Sequence, residues 1–156
     1  MQAFDYIRAG VGTVTLCGST KFHQQYQQAN RILTAENWIV LQPGSFGHSI
    51  HKDAKPLTTE QHETVKFLHF QKILESHLVV HVHDGSLYQG DSTKLEMAFA
   101  RFRGKAICDF NGEVFTGTID TEPPQELRDR SLLESFLQAN PKYRHLMITT
   151  GMIDNR

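Results

Sequence analysis

Short apolar runs rich in β-branched residues alternate with longer amphipathic segments, and this alternation constrains the fold more than any other feature of the chain. Residues 11–17 carry two valines and two threonines and end at Gly18, which is the pattern of a strand. Phe22, Tyr26, Ala29 and Leu33 then recur at intervals of four, three and four residues, the spacing of one helical face. Trp38 to Leu41 reads as a second strand, closed by Pro43 and Gly44. Thr58 and Gln61 match a capping box, followed by a helix with Phe67, Phe70 and Leu74 on its apolar face. Leu78 to Val82 reads as the third strand, Lys94 to Phe102 as the next helix and Lys105 to Cys108 as the fourth strand. Strands and helices in strict turn predict a parallel sheet covered on both faces, and right-handed crossovers leave few topologies. The expected fold is α/β: a flavodoxin-like or Rossmann-like doubly wound, mostly parallel sheet of about four to five strands.

The pattern weakens downstream. Glu113 to Ile119 suits a short strand or hairpin arm, residues 124–138 a helix with Leu133, Phe136 and Leu137 on one face, and residues 145–150 a final strand. A polar loop spans residues 44–56, and long loops in compact domains are often functional. The 156 residues suit a single domain over 1–156, with a core at 11–109 and a C-terminal extension at 110–156. A net charge of −1 gives no general attraction to nucleic acid polymers or anionic membranes. No apolar run approaches the ~20 residues of a membrane span. The first residues lack the basic-then-apolar pattern of a secretory signal. Cys17 and Cys108 both lie in apolar runs, as buried thiols of a reducing, cytoplasmic compartment would.

In a sheet of this kind ligands sit beyond the carboxyl ends of the strands. The loops at Gly18, Gly44 and Gly90 therefore converge on one crevice. Gly18 permits close backbone approach, and Ser19 and Thr20 bring hydroxyls to the positive end of a helix, where a phosphate or sugar hydroxyls fit. The same residues also suit plain helix capping. The segment is neither G-x-G-x-x-G nor a P-loop. In the Gly90–Glu96 segment, Thr93 and Glu96 have capping-box spacing, and Asp91 favours a helix dipole. The functional reading is a carboxylate pair, Glu96 and Asp91, working on a glycosidic bond. His81 and His83 alternate on a strand with Asp84 next, yet complete no metal signature elsewhere in the chain. No metal and no cofactor are expected. His69 and His77 flank the end of a helix, suited to ligand contact or carbonyl capping. Neither cysteine sits in a reactive setting, and no Cys/His nucleophile pair is legible.

Four segments occur in order: Val14 to Phe22, Leu41 to His48, Leu68 to Ile73 and Gly90 to Glu96. This series resembles the nucleoside 2-deoxyribosyltransferase-like superfamily, most closely its small bacterial and phage branch. That superfamily also holds 2′-deoxynucleoside 5′-phosphate N-hydrolases and a cytidine-monophosphate N-glycosidase. The likeness covers Val11 to about Ile107 and implies a flavodoxin-like fold. It implies Glu96 as the nucleophile at C1′, ionised at neutral pH if its pKa is an ordinary ~4.3. It implies that the Gly18, Ser19 and Thr20 loop holds the 5′-phosphate or 5′-hydroxyl, with Cys17 and Lys21 beside it in the expected substrate-binding set. Phe46, His48, His69, Gly90, Ser92 and Thr93 complete the expected substrate-binding set. Family members commonly pair subunits, so a homodimer or larger homo-oligomer is expected.

The chain departs from the family pattern at three places. Gly90 stands where a helper Asp or Ser is usual, with Asp91 one residue late. His69 stands where an aspartate is usual, and the first loop carries Lys21 and Phe22 rather than an arginine. The expected function is cleavage or transfer at the N-glycosidic bond of a nucleoside or its 5′-monophosphate. Two rivals are a non-catalytic nucleotide sensor on the same fold and a lysine-decarboxylase-like phosphoribohydrolase. The latter requires Pro-Gly-Gly-x-Gly-Thr-x-x-Glu, whose glycines Gly90 to Glu96 lacks.

Overall fold

Five strands form one sheet in the order β2-β1-β3-β4-β5 in the computed structural model, which describes residues 12–44 and 55–117 together with Gln138 and Arg144. The elements are β1 (Thr13–Cys17), a 3-10 turn (Thr20–Phe22), α1 (His23–Ala35), β2 (Ile39–Leu41), α2 (Thr59–Glu75), β3 (Leu78–Val82), α3 (Asp91–Phe102), β4 (Ala106–Phe110) and β5 (Phe115–Thr116). β1 pairs in parallel with β2 and β3, and β3 with β4; β5 returns antiparallel to β4. This is the flavodoxin-like order, in which the direction of winding reverses between β1 and β3.

Strand periodicity decides which helix covers which face. Val14, Leu16, Val80, Val82, Cys108 and Phe110 pack on one side with Phe22, Tyr26, Ala29 and Leu33, the helical face read from the sequence. Cys17, Val79 and Ile107 pack on the other side with Phe70, Ile73, Leu95, Met97 and Phe99. Both faces are thus covered, which explains the fully buried β3. Thr15 belongs to the second face, and its hydroxyl bonds the Lys72 carbonyl and the Ser76 hydroxyl. These bonds tie the end of α2 to the sheet.

Three local expectations change. The second strand begins at Ile39, because Trp38 turns into the core at 3% exposure while Ile39 is 64% exposed. The fourth strand runs two residues past Cys108, to Phe110. The helix expected from Lys94 begins at Asp91 instead, with Gly90 as an extended N-cap and no side-chain cap bond. Phe46, His48, most of the 44–56 loop, the 124–138 helix apart from Gln138, and the 145–150 strand lie outside the described residues. The capping box at Thr58 forms as read: Gln61 N–H donates to Thr58 Oγ1 at 3.1 Å, and Thr58 N–H to Gln61 Oε1 at 2.9 Å.

Candidate active site

The ends of β1 and β3 flank a cleft of about 400 Å³ at the point where the winding reverses. Gly18, Ser19 and Thr20 form one side of it, Gly90, Asp91, Ser92 and Thr93 a second, and His62, Val65, Lys66 and His69 of α2 a third. Glu96 lines it too. Of the three loops predicted to converge, those at Gly18 and Gly90 do so, and the third reaches the cleft through Pro43 rather than Gly44; the size suits a small-molecule ligand.

Gly18 lies tight against the end of β3. A Cβ there would meet the Val82 carbonyl oxygen at 2.4 Å, so no other residue fits without movement. Tyr26 Oη donates to the Gly18 carbonyl at 2.9 Å, tying this turn to the core of α1. Ser19 Oγ accepts from Lys21 N–H at 3.4 Å, so Ser19 does cap the 3-10 turn. Lys21 is not part of the cleft lining; its Nζ stands 3.5 Å from the centroid of the Tyr88 ring. No side chain caps the first turn of α3, which leaves its backbone N–H groups for solvent or an anionic ligand.

The earlier start of α3 removes the capping role for Glu96. Thr93 and Glu96 lie inside the helix and are buried at 4% and 8% exposure. Glu96 Oε2 faces His69 Nε2 at 3.8 Å, too long for a hydrogen bond. Burial pushes the Glu96 carboxyl up to about 8, against a smaller opposing pull from Lys66. The expectation of an ionised glutamate at neutral pH is therefore corrected: the carboxyl is mostly protonated at pH 7. Burial also holds the His69 imidazole down at about 4, helped by Lys72. Both partners are neutral, so the pair is not a salt bridge. Asp91 is exposed in the first turn of α3, at the rim.

His69 does not flank the end of α2; it sits within the helix, with its Nε2 3.3 Å from Cys17 Sγ. A Cys/His contact thus exists that the sequence did not show. Burial pushes the thiol well above its usual range, with Glu96 adding to the effect, so Cys17 is a poor nucleophile. Cys17 lies beneath His69 and is absent from the cleft lining. Cys17, His69 and Glu96 bring donor atoms within 4.8 Å of one another, the spacing of a candidate metal triad. His77 lies beyond the helix end, where its Nδ1 accepts from Thr13 N–H at 3.2 Å. Asp84 accepts from Ser86 N–H at 3.1 Å, and the carboxylate beside His81 is Asp109.

His62, Val65 and Lys66 were missed in the sequence. With His69 they recur at three, one and three residues along α2, a helical face in its own right. Pro43 was read only as a strand stop. No protein-family model, curated protein or solved structure matches the chain.

Proposed function

We propose that this chain cleaves or transfers the N-glycosidic bond of a nucleoside, a deoxynucleoside or the corresponding 5′-monophosphate, with Glu96 meeting C1′. The observation that carries this reading is a buried carboxyl in the wall of a cleft between two strand-end loops, with no cation bonded to it among the described residues. The transition state of glycosidic cleavage is oxocarbenium-like. A carboxylate held in a dry site stabilises that charge far better than one in water. Ser19, Thr20 and the uncapped start of α3 suit the 5′-phosphate or 5′-hydroxyl, which would orient C1′ toward Glu96. Asp91 at the rim is the group assigned to the proton of the leaving base or of water. The ordered motifs shared with the nucleoside 2-deoxyribosyltransferase-like superfamily support the same chemistry. From that resemblance and the two free buried thiols we also propose a cytoplasmic homo-oligomer. No helix among the described residues is long and apolar enough to cross a membrane.

The nucleophile must shed its proton before it attacks, so Glu96 works through its ionised fraction. The test is incubation with a panel of ribo- and deoxyribonucleosides and their monophosphates, with free base as the readout. Glu96→Ala abolishes release; release that survives the change overturns the assignment. One observation favours a second reading, a non-catalytic nucleotide sensor: the carboxyl carries a proton at neutral pH. That reading predicts saturable nucleotide binding with no base released by the unsubstituted protein.

A further inference from the structure

We infer that His81, His83 and Asp109 form a binding site for a first-row divalent transition-metal ion of the Zn2+ type, on the other side of α3 from the Glu96 cleft. The inference does not rest on the proposed glycosidic reaction.

His81 lies in β3 and His83 one residue past its end, still bonded to β4 through its N–H to the Phe110 carbonyl at 2.9 Å, so the two-residue spacing projects both from one face. They are 2% and 3% exposed, and their ring centroids lie 4.9 Å apart with the planes tilted by 32°. Asp109 pairs with His81 in the β3–β4 register. His81 Nδ1 lies 2.9 Å from Asp109 Oδ1, so the carboxylate draws the ring proton to Nδ1 and leaves an open lone pair at Nε2. A metal-ligating histidine is typically oriented by a carboxylate in this way. His83 is fixed differently: its Nδ1 accepts from Gly85 N–H at 3.0 Å. In both rings Nε2 is buried and without a hydrogen-bond partner. A buried polar atom without a partner is costly, so two such atoms in neighbouring rings point to an occupant. The three side chains cluster tightly, one donor atom of each lying within 4.8 Å of the other two, with the two histidines as ligands and Asp109 as the carboxylate that orients His81.

Two imidazoles favour Zn2+ and its neighbours over Mg2+ or Ca2+, which prefer oxygen. His81 binds through Nε2 while its Nδ1–H stays hydrogen-bonded to Asp109, whose negative charge offsets the ion. His83 binds once its Nε2 proton has moved to Nδ1, and the Gly85 N–H bond breaks in exchange. Coordination positions left open face a second cleft of about 390 Å³, lined by His81, Gln89, Met97, Arg101 and Asp109 among others. The Cys17–His69–Glu96 triad is the weaker candidate. His69 Nδ1 has no partner to orient the ring, and a buried thiol and carboxyl must both lose protons there.

The test uses the full chain, stripped with chelator, titrated with Zn2+ by calorimetry and with Co2+ by visible absorption. Expected are about one equivalent of metal bound at micromolar concentration and a cobalt spectrum without a sulfur charge-transfer band. His81→Gln and His83→Gln each weaken binding by about tenfold or more, while Cys17→Ser leaves it unchanged. Absence of binding overturns the proposal. Binding that shows the sulfur band, or is lost in Cys17→Ser and kept in His81→Gln, also overturns it, since the ion then sits beside Glu96. If the histidine variants fail to fold, ring-nitrogen NMR of the unsubstituted protein decides. Zn2+ must shift His81 Nε2, His83 Nε2 and the Gly85 amide, and unmoved signals reject the site.

Discussion

His69 and His81 both lie buried on the α2/α3 face of the sheet, one in the strand-end cluster with Cys17 and Glu96, the other beside Asp109. Glu96 is buried with its histidine 3.8 Å away, and the carboxyl stays protonated. Asp109 keeps 40% of its side chain in solvent and accepts a 2.9 Å bond from His81. The residue types are nearly the same; the access of water differs. Burial without a bonded partner stores unfavourable free energy in the first pair, whereas the second is an ordinary hydrogen-bonded pair. A site that must stabilise a developing cation has use for the first arrangement. A site that orients an imidazole lone pair has use for the second.

The sharpest way to break this contrast is Glu96→Ala. Base release should fall by at least about 10³-fold, roughly 4 kcal/mol of transition-state stabilisation, read as kcat/KM on the best substrate of the panel. Unfolding measurements on Glu96→Gln probe the stored free energy directly. The folded carboxyl is raised from 4.5 to about 8, so its favourable contribution is complete below pH 4.5 and is lost as the pH rises toward 8. Replacing it should therefore stabilise the chain by on the order of 3 kcal/mol at pH 7 and by under about 1 at pH 5. Equal effects at both pH values would refute the buried protonated carboxyl. His69 works with the opposite sign: lowered from 6.5 to about 4, its contribution is complete above pH 6.5 and lost as the pH falls toward 4.

Gly18→Ala drives a methyl against the Val82 carbonyl and should cost about 1–3 kcal/mol of stability, measured by urea denaturation. If Glu96 attacks as a carboxylate, kcat/KM should rise about tenfold per pH unit up to about 8 and then level off. A profile that falls across that range would make Glu96 an acid instead. The smallest effect belongs to the second pair. Asp109→Asn should cost no more than about 1 kcal/mol by denaturation, because water partly screens the bond it weakens.

The layered fold was legible because local chemistry agreed with it. The Tyr26, Ala29, Leu33 face and the Thr58–Gln61 box depend on residues a few positions apart, and both form as read. Thr93 and Glu96 carry the same box spacing and do not form it. The helix starts earlier, at Asp91 after the Gly90 N-cap, which leaves Thr93, Leu95 and Glu96 buried inside it. Asp109 was passed over beside His81 because strand register, not sequence distance, brings them together. His62, Val65 and Lys66 are not legible as a site in the sequence because the apolar periodicity of α2 marks the core-facing side instead. The protonation of Glu96 follows from depth, which a residue string does not state.

The tight seat of Gly18 has a mechanical consequence. The β1 turn is pressed on the Val82 carbonyl at the end of β3 and bonded to Tyr26, so it is held from both sides. The far end of α2 is equally anchored, through Thr15 and Ser76 to the Lys72 carbonyl. Its opening turns are exposed or half-buried and carry His62, Val65 and Lys66. The cleft is thus walled by a firmly seated β1 turn on one side and by the more exposed leading turns of α2 on the other.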